Sequence, residues 1–385
     1  MTTIHIPTHR PHVVVVGAGI LGCSIAFHLT LRGAHVTLVE AETPGAGATR
    51  VSFAWLNAYG KTPYAYHDLN RRSLEMWPRF LRRLGGGIDI TWGGELRWAV
   101  TTAGAAALIK QAHQMQMWGY PTQLLTAADV QRLEPQLPTP GLVVASHTAI
   151  EGHVNTGQVV DGCLRALTAA GSEICVGMAV TGLTMTRTSD GRLVQTVEIG
   201  EQAIPCDVVV LAGGAAMPTL ARMAGVMLPL YDTFGATLLT EPLPPLFQTI
   251  ALLHSPRDRQ PLLNFRQFPD GAVMIQGNGH SNYDDGDWGH TDAEVAQILA
   301  EAAAVVPALQ GAQLQEVRRG RRPIPQDGQT ILGFAPQVSN LYLATTHSGV
   351  TLAPLIGEFA AIEIVDQVAI NLLRPFRLGR FSAQR

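Results

Sequence analysis

The chain begins with a run of apolar positions that changes period twice within thirty residues. Four consecutive valines at 13–16 match a strand buried on both faces of a parallel sheet. After a glycine-rich turn, Ala26 and Leu29 continue a helical apolar face, and Gly33 ends it. A second buried strand at 36–39 finishes on Glu40. The same plan returns twice. An amphipathic helix at about 155–170 precedes a strand, and another strand at 208–211 ends on Ala212-Gly213-Gly214. Near the C-terminus a strand at 341–344 runs through a glycine-bearing turn into a helix from about 351. Between these units lie helical patterns at 102–117 and 291–305, the second opened by Thr291 and Asp292 as a cap. Leu69, Leu74 and Trp77 give helical spacing around His67, which assigns that histidine to core or surface. No internal repeat or low-complexity linker interrupts the pattern.

The first unit carries chemistry. In "GAGILG", Gly17, Gly19 and Gly22 have GxGxxG spacing between a strand and a helix. Gly17 permits the tight turn, Gly19 lets the backbone approach a pyrophosphate, and Gly22 lets the helix pack close. Ala18, Ile20 and Leu21 supply backbone N–H groups at the positive end of the helix. Glu40, followed by Ala41, stands where it accepts from a ribose hydroxyl. An acid there disfavours a 2′-phosphate, which leaves NAD or FAD. The loop "GATRVSFAWLNA" follows at once, with Thr49, Arg50 and Ser52 as donors and Trp55 and Asn57 beside them. A second donor-rich loop so close to the first suggests a ligand with more to hold than NAD.

Composition changes this picture little. At 385 residues the chain is expected to form about two domains, and 46% apolar against 15% charged residues describes a globular protein. A net charge of −3 gives no general attraction to polyanions. Cys23, Cys163, Cys175 and Cys206 have no CxxC or ligand spacing and read as small buried hydrophobes, with no metal site. The N-terminal stretch lacks a secretion-type apolar core, and no window of about 18 apolar residues exists to span a membrane. The expected location is cytoplasmic, a reducing compartment.

Six segments in order, "GAGILGCSIAFHLTLRGAHVTLVE", "GATRVSFAWLNA", "EGHVNTGQVV", "DVVVLAGGAA", "RRPIPQDGQTILG" and "THSGVTLAP", resemble the D-amino-acid oxidase superfamily of flavoproteins. The branch is that of glycine oxidase, sarcosine oxidase and related amine dehydrogenases. The resemblance implies an α/β fold: a Rossmann-like FAD-binding domain with an inserted β-rich, α+β substrate domain. The expected limits are 1–84, 141–225 and 320–385 for the first and 85–140 and 226–319 for the second. It implies FAD contacts from Gly17, Ala18, Gly19, Ile20, Leu21, Gly22, Glu40 and Ala41, and from Thr49, Arg50, Ser52 and Trp55. Val180 would give a backbone contact to adenine, and Ala212 and Gly213 would line the next turn. Ser348, Gly349, Val350 and Thr351 would face the pyrimidine end of the flavin, where reduction places negative charge.

The same resemblance addresses the arginine-rich "RRGRRPIP". Its Arg322-Pro323 matches an arginine that binds the substrate carboxylate, so Arg322 is expected at the substrate or flavin. Arg318, Arg319 and Arg321 are expected on a strand end or loop in solvent. Where relatives carry an aromatic hydroxyl this chain has Asn264, with Arg266 on the same strand face; Tyr231 is a candidate replacement. His347 stands before the last turn, where relatives show a Gly-His pair. His280 and His290 flank an acidic stretch that is a candidate lid. No cysteine follows Cys206, which implies non-covalent FAD. No lysine lies beyond Lys110 to match the oxygen-activating lysine of sarcosine oxidases. The electron acceptor is therefore open between oxygen, a quinone and a partner protein. The implied reaction is oxidation of a C–N bond in a small amino acid or N-substituted amino acid. Two alternatives stay open: the flavin subunit of a multi-subunit amine or opine-type dehydrogenase, and a flavoprotein acting on a modified tRNA base. A plain NAD dehydrogenase is a third. Apart from that tRNA alternative no nucleic-acid partner is expected, and oligomerisation is left open.

Overall fold

In the computed structural model the described residues are 10–189, 191–258, 262–277 and 292–384, with side chains described as far as 381. The N-terminal stretch at 1–9, the histidine-flanked acidic segment (His280, His290) and the Thr291 cap lie outside the described residues.

The four valines form the middle of the first sheet. Strand His12–Val16 pairs in parallel with His35–Glu40 on one side and Val208–Leu211 on the other. Val338–Thr345 extends the sheet beyond Val208–Leu211, and Glu173–Val176 extends it beyond His35–Glu40. Strands Gly191–Ile199 and Val180–Thr188 continue its far edge as an antiparallel pair. Two layers of apolar side chains cover the two faces. Helix Ile20–Leu31 is enclosed by helices Thr156–Ala169 and Gly349–Val365. The approach to the last helix is close because Gly357 faces it: a Cβ there would lie 2.3 Å from Ser24 Oγ. Ser24 Oγ donates instead to Ala353 O at 2.7 Å.

The second sheet is mainly antiparallel. Its order is Leu314–Pro325, Leu230–Thr240, Val273–Gly277, Leu263–Gln267, Leu252–His254, Glu95–Ala99, Val144–Thr148 and Thr122–Leu125. Strand alternation divides its residues. Leu96, Trp98, Leu238, Phe265 and Ile275 join helix Asp292–Val305 in one apolar cluster. The opposite face carries Glu95, Arg97, His254, Asn264, Arg266 and Gln276 and turns toward the chain around Phe53–Tyr59. A small three-stranded sheet of Trp55–Leu56, Gly152–Val154 and Ile90–Trp92 lies at that junction.

Several expectations need correction. Arg318, Arg319 and Arg321 lie within a twelve-residue strand, Leu314–Pro325, that also carries Arg322, not on a loop or strand end, although Arg319 and Arg321 are exposed as expected. Its pairing with Leu230–Thr240 runs from Leu230↔Pro325 to Thr240↔Leu314. The strand is at the sheet edge, where Pro323 and Pro325 cost no ladder bond to a further strand. Arg318 is half-buried, with Nε donating to Glu316 at 2.8 Å. Cys175 and Cys206 are only partly buried, whereas Cys23 and Cys163 are core residues. Strand Val144–Thr148 belongs to the second sheet although it falls within 141–225, and Leu314–Pro325 runs across the expected limit at 320.

Candidate active site at the sheet junction

The glycine turn is built so that only glycine fits. Gly17 has φ +101°, and a Cβ there would sit 2.7 Å from Ala212 O. A Cβ on Gly22 would fall 1.8 Å from Gly17 O, backbone against backbone. Helix Ile20–Leu31 starts with Gly19 as its cap, which offers no side chain to the first turn. Thr49 Oγ1 accepts the Ile20 N–H at 3.0 Å, and the Gly45 N–H donates to Ala18 O at 2.9 Å, so the donor loop is hooked onto the glycine loop. Glu40 Oε2 accepts the Ala18 N–H at 2.7 Å and Oε1 accepts the Glu42 N–H at 2.9 Å. The Met178 N–H donates to Glu40 O, which brings the start of strand Val180–Thr188 alongside.

A second helix N-terminus converges on the first. Gly349 begins the helix Gly349–Val365, and a Cβ on it would meet Leu21 Cγ at 3.8 Å. Thr351 Oγ1 donates to Trp55 O at 3.0 Å and accepts the Asn57 N–H at 3.2 Å. Ser348 Oγ accepts from Tyr66 Oη at 2.8 Å. Ala212 and Gly213, both at the end of Val208–Leu211, close the floor beside Gly17. Two positive helix ends, an acid at the second strand and a glycine cradle that no Cβ could share fit a dinucleotide.

Opposite this end lies a buried polar row on the second sheet. Arg97 binds Glu95 through two parallel bonds of 2.8 and 2.9 Å. Glu95 Oε2 also meets His254 Nε2 at 2.9 Å, and His254 Nδ1 meets Asn264 Oδ1 at 2.6 Å. Asn264 Nδ2 reaches Gln276 Oε1 at 3.4 Å. Glu95, His254 and Asn264 are 1%, 5% and 8% exposed. Burial opposes ionisation of Glu95, but Arg97 and His254 outweigh it and bring the carboxyl down to about 2. Burial and the Arg97 charge lower the pKa of His254.

The segment after the donor loop packs on this row. Trp55 stands 5.0 Å from the His254 ring and 5.2 Å from the Arg97 guanidinium, and Tyr59 lies 4.5 Å from the same guanidinium. Glu151 pins that segment by accepting from Trp55 Nε1, the Ala58 and Tyr59 N–H groups and Tyr120 Oη. Burial and the Glu95 charge push its carboxyl up to about 8, against the bonds from Tyr120 and the Tyr59 N–H and the charge of Arg97.

The structure thus gathers Gly17, Ala18, Gly19, Ile20, Leu21, Gly22, Glu40, Thr49, Ala212, Gly213, Ser348, Gly349 and Thr351 at one end, and Asn264 and Arg266 at the other, with Trp55 between. Ala41 follows Glu40 and is exposed, and Val350 is buried in the last helix. Arg50 is exposed and ion-paired to Glu316, and Ser52 Oγ accepts the Ala54 N–H. Arg322 is half-buried on the strand Leu314–Pro325, its guanidinium lying where a Cβ on Gly235 would be. His347 is exposed. Tyr231 lies at the end of its strand, 51% exposed and away from the buried row. His67 is buried, its Nδ1 on Ala58 O. Glu95, Arg97, Glu151 and His254 were not singled out by the sequence. The available signal was "ELRWA", where charged residues alternate with Leu96 and Trp98 in a strand. Among the described residues no group of three potential metal ligands gathers, and no helix is long and apolar enough to cross a membrane.

A parallel sheet with a glycine cradle, joined to a second sheet with a buried polar face, fits a dinucleotide-binding protein. The chain belongs to the FAD dependent oxidoreductase family (DAO), whose model matches residues 12–361. Glycine oxidase of Geobacillus kaustophilus (strain HTA426) is 26% identical over 97% of this chain and 98% of that one. The 4-methylaminobutanoate oxidase (formaldehyde-forming) of Paenarthrobacter nicotinovorans is 28% identical over 94% of this chain, which spans 44% of that longer protein. The crystal structure of the Geobacillus kaustophilus glycine oxidase shares the fold with a TM-score of 0.84, at 24% identity, over 97% of this chain and 99% of that one. The protein is therefore an FAD-dependent oxidoreductase.

Proposed function

We propose that the protein oxidises the C–N bond of a small amino acid or N-substituted amino acid, with FAD held non-covalently. The relatives named as glycine oxidase and 4-methylaminobutanoate oxidase support that substrate class. The observation that carries the reading is the Glu95–His254–Asn264 chain on the sheet face beside Trp55.

That chain fixes the polarity of Asn264. With its pKa lowered, His254 is neutral, and ionised Glu95 takes the proton on Nε2. Nδ1 is then an acceptor, so the Asn264 amide turns its NH2 to the ring, its two ends being interchangeable by a half-turn. The amide oxygen then faces Gln276, whose amide makes the same half-turn to donate to it, and its second lone pair is an acceptor suited to an amine N–H. Arg322 is the candidate for the substrate carboxylate, as a planar fork is worth about 1.5–3 kcal/mol per charged bond when desolvated. Tyr231 and His347 are further candidates at the rim. FAD, when bound, supplies the two-electron acceptor for the hydride lost from the carbon next to nitrogen. The chain's part is to orient the neutral amine and exclude water, and the imine that leaves is hydrolysed to a carbonyl compound and an amine or ammonia.

Gly17 to Gly22, Glu40 and Thr49 support FAD binding at one end, and Ser348 to Thr351 support the pyrimidine end. Ala41, Arg50, Ser52, Val180, Ala212 and Gly213 complete the proposed contacts. The absence of cysteine after Cys206 supports non-covalent attachment. The domain limits given above are proposed for the division into cofactor and substrate sides, with the strands Val144–Thr148 and Leu314–Pro325 assigned to the substrate side. Oxygen or another acceptor takes up the electrons. The test is product analysis: the holoenzyme incubated with glycine, sarcosine, other N-alkyl amino acids and plain amines should release a carbonyl product from one class. Turnover of none of them, with dye acceptors present, contradicts the reading.

A further inference from the structure

Two guanidinium groups are buried on the same face of the second sheet, and they differ in one respect. Arg97 has its counter-ion built in, with both carboxylate oxygens of Glu95 in parallel bonds. Arg266, 2% exposed, has none: no carboxylate among the described residues pairs with it, and the charge that bears on it, Arg318, has the same sign. Its Nη1 donates to His153 Nδ1 at 3.1 Å and lies 3.5 Å from Val154 O. Its Nη2 faces only Met274 Sδ at 3.4 Å, and its Nε has no partner. The Nε–Nη2 edge is the one that grips a carboxylate through two parallel bonds, and here it meets a thioether. The rings of Phe268 and Phe53, 4.2 and 5.6 Å from Cζ, offset part of the charge but accept none of the N–H groups.

His153 adds a second unmatched donor. Because its Nδ1 accepts from the guanidinium, its proton is on Nε2, which is buried with no partner. Burial lowers the pKa of this histidine, so it stays neutral. Burial, with Arg318, brings Arg266 down to about 9, still a cation at neutral pH. A buried cation whose Nε–Nη2 edge lacks an oxygen acceptor is the complement of one anion, and His153, bonded to Nη1, braces the guanidinium from the other side.

We propose that the Nε–Nη2 edge of Arg266, with His153 as a positioning residue at Nη1, forms a carboxylate-binding subsite where the strand Leu263–Gln267 meets Gly152–Val154, distinct from the one assigned to Arg322. The carboxylate is carried either by the substrate or by a separate small molecule. The first source rests on the amine-oxidising reading; the subsite itself does not. Binding is therefore measured without turnover, by calorimetry of the FAD-loaded enzyme with acetate and succinate, and with acetamide as the neutral control. Wild type and Arg322→Met should bind a carboxylate and not acetamide. In the Arg322→Met background, Arg266→Met should bind at least tenfold more weakly, Arg266→Lys should fall between, and His153→Asn should lose several-fold. The 450 nm to 280 nm absorbance ratio verifies that each variant holds its flavin; if Arg266→Met does not, the lysine and His153 variants decide. Competition between the carboxylate and a turned-over amine assigns the source to the substrate, and its absence assigns a separate ligand. Equal carboxylate binding with and without Arg266→Lys or His153→Asn in the Arg322→Met background, or loss only in Arg322→Met, overturns the proposal. Failure to oxidise any amine would leave the binding result standing.

Discussion

At the scale of single residues, the cofactor end leaves least freedom at Gly22. A methyl group there would meet the Gly17 carbonyl at 1.8 Å, and both groups are backbone, so no side chain can move aside. Gly22→Ala should therefore purify with less than a tenth of the wild-type flavin absorbance at 450 nm. Full flavin content in that variant would contradict the assignment of this turn to FAD. Glu40→Gln keeps the size of the side chain and a bond to the Ala18 N–H but removes the charge. FAD affinity should fall about tenfold, about 1.4 kcal/mol, in a fluorescence titration of the apoprotein. These positions were legible because their geometry is local, with strand, turn, helix and acid within thirty residues. Glu95 and His254 were not, because they meet through a parallel pairing of Leu252 with Glu95 across more than 150 residues of chain. Strand alternation made Asn264 and Arg266 legible as a pair, but not the absence of an acid beside the arginine.

At the scale of elements, the contact between the first and last helices holds a buried histidine. His28 stacks on Phe80 at 5.4 Å, and its Nδ1 is 2.8 Å from Ser24 O. Burial lowers its pKa to about 4, so the folded protein holds it neutral where the unfolded chain takes up a proton. The unfolded state binds more protons between pH 6.5 and 4, so stability falls as pH drops through that window. The loss attributable to His28 is roughly 3 kcal/mol. His28→Gln should flatten the fall in urea midpoint between pH 6.5 and 4, and an unchanged slope would contradict this account. Helix spacing and buried-strand runs in the sequence located these elements to within a few residues. The strand Leu314–Pro325 was misread because glycine and two prolines signal a turn. Pairing over its length with Leu230–Thr240 overrides that local signal, with Gly320 opposite Gly235.

At the scale of the whole molecule, the two sheets divide the work that the reaction requires. One sheet brings two helix N-termini and an acid to a glycine cradle. The other brings a buried polar face to the segment that leaves that cradle, and Trp55 and Thr351 stitch them together. The sequence pattern and family resemblance foresaw both parts, while the polar row emerges only from strand pairing. The central claim, that an amine delivers its electrons to flavin held between these sheets, is tested most directly by the visible spectrum of the purified protein without air, during addition of small amino acids and amines. The account predicts a flavin band near 450 nm that bleaches with one amine class and returns when an electron acceptor is admitted. A bound flavin that no member of the series bleaches would contradict it.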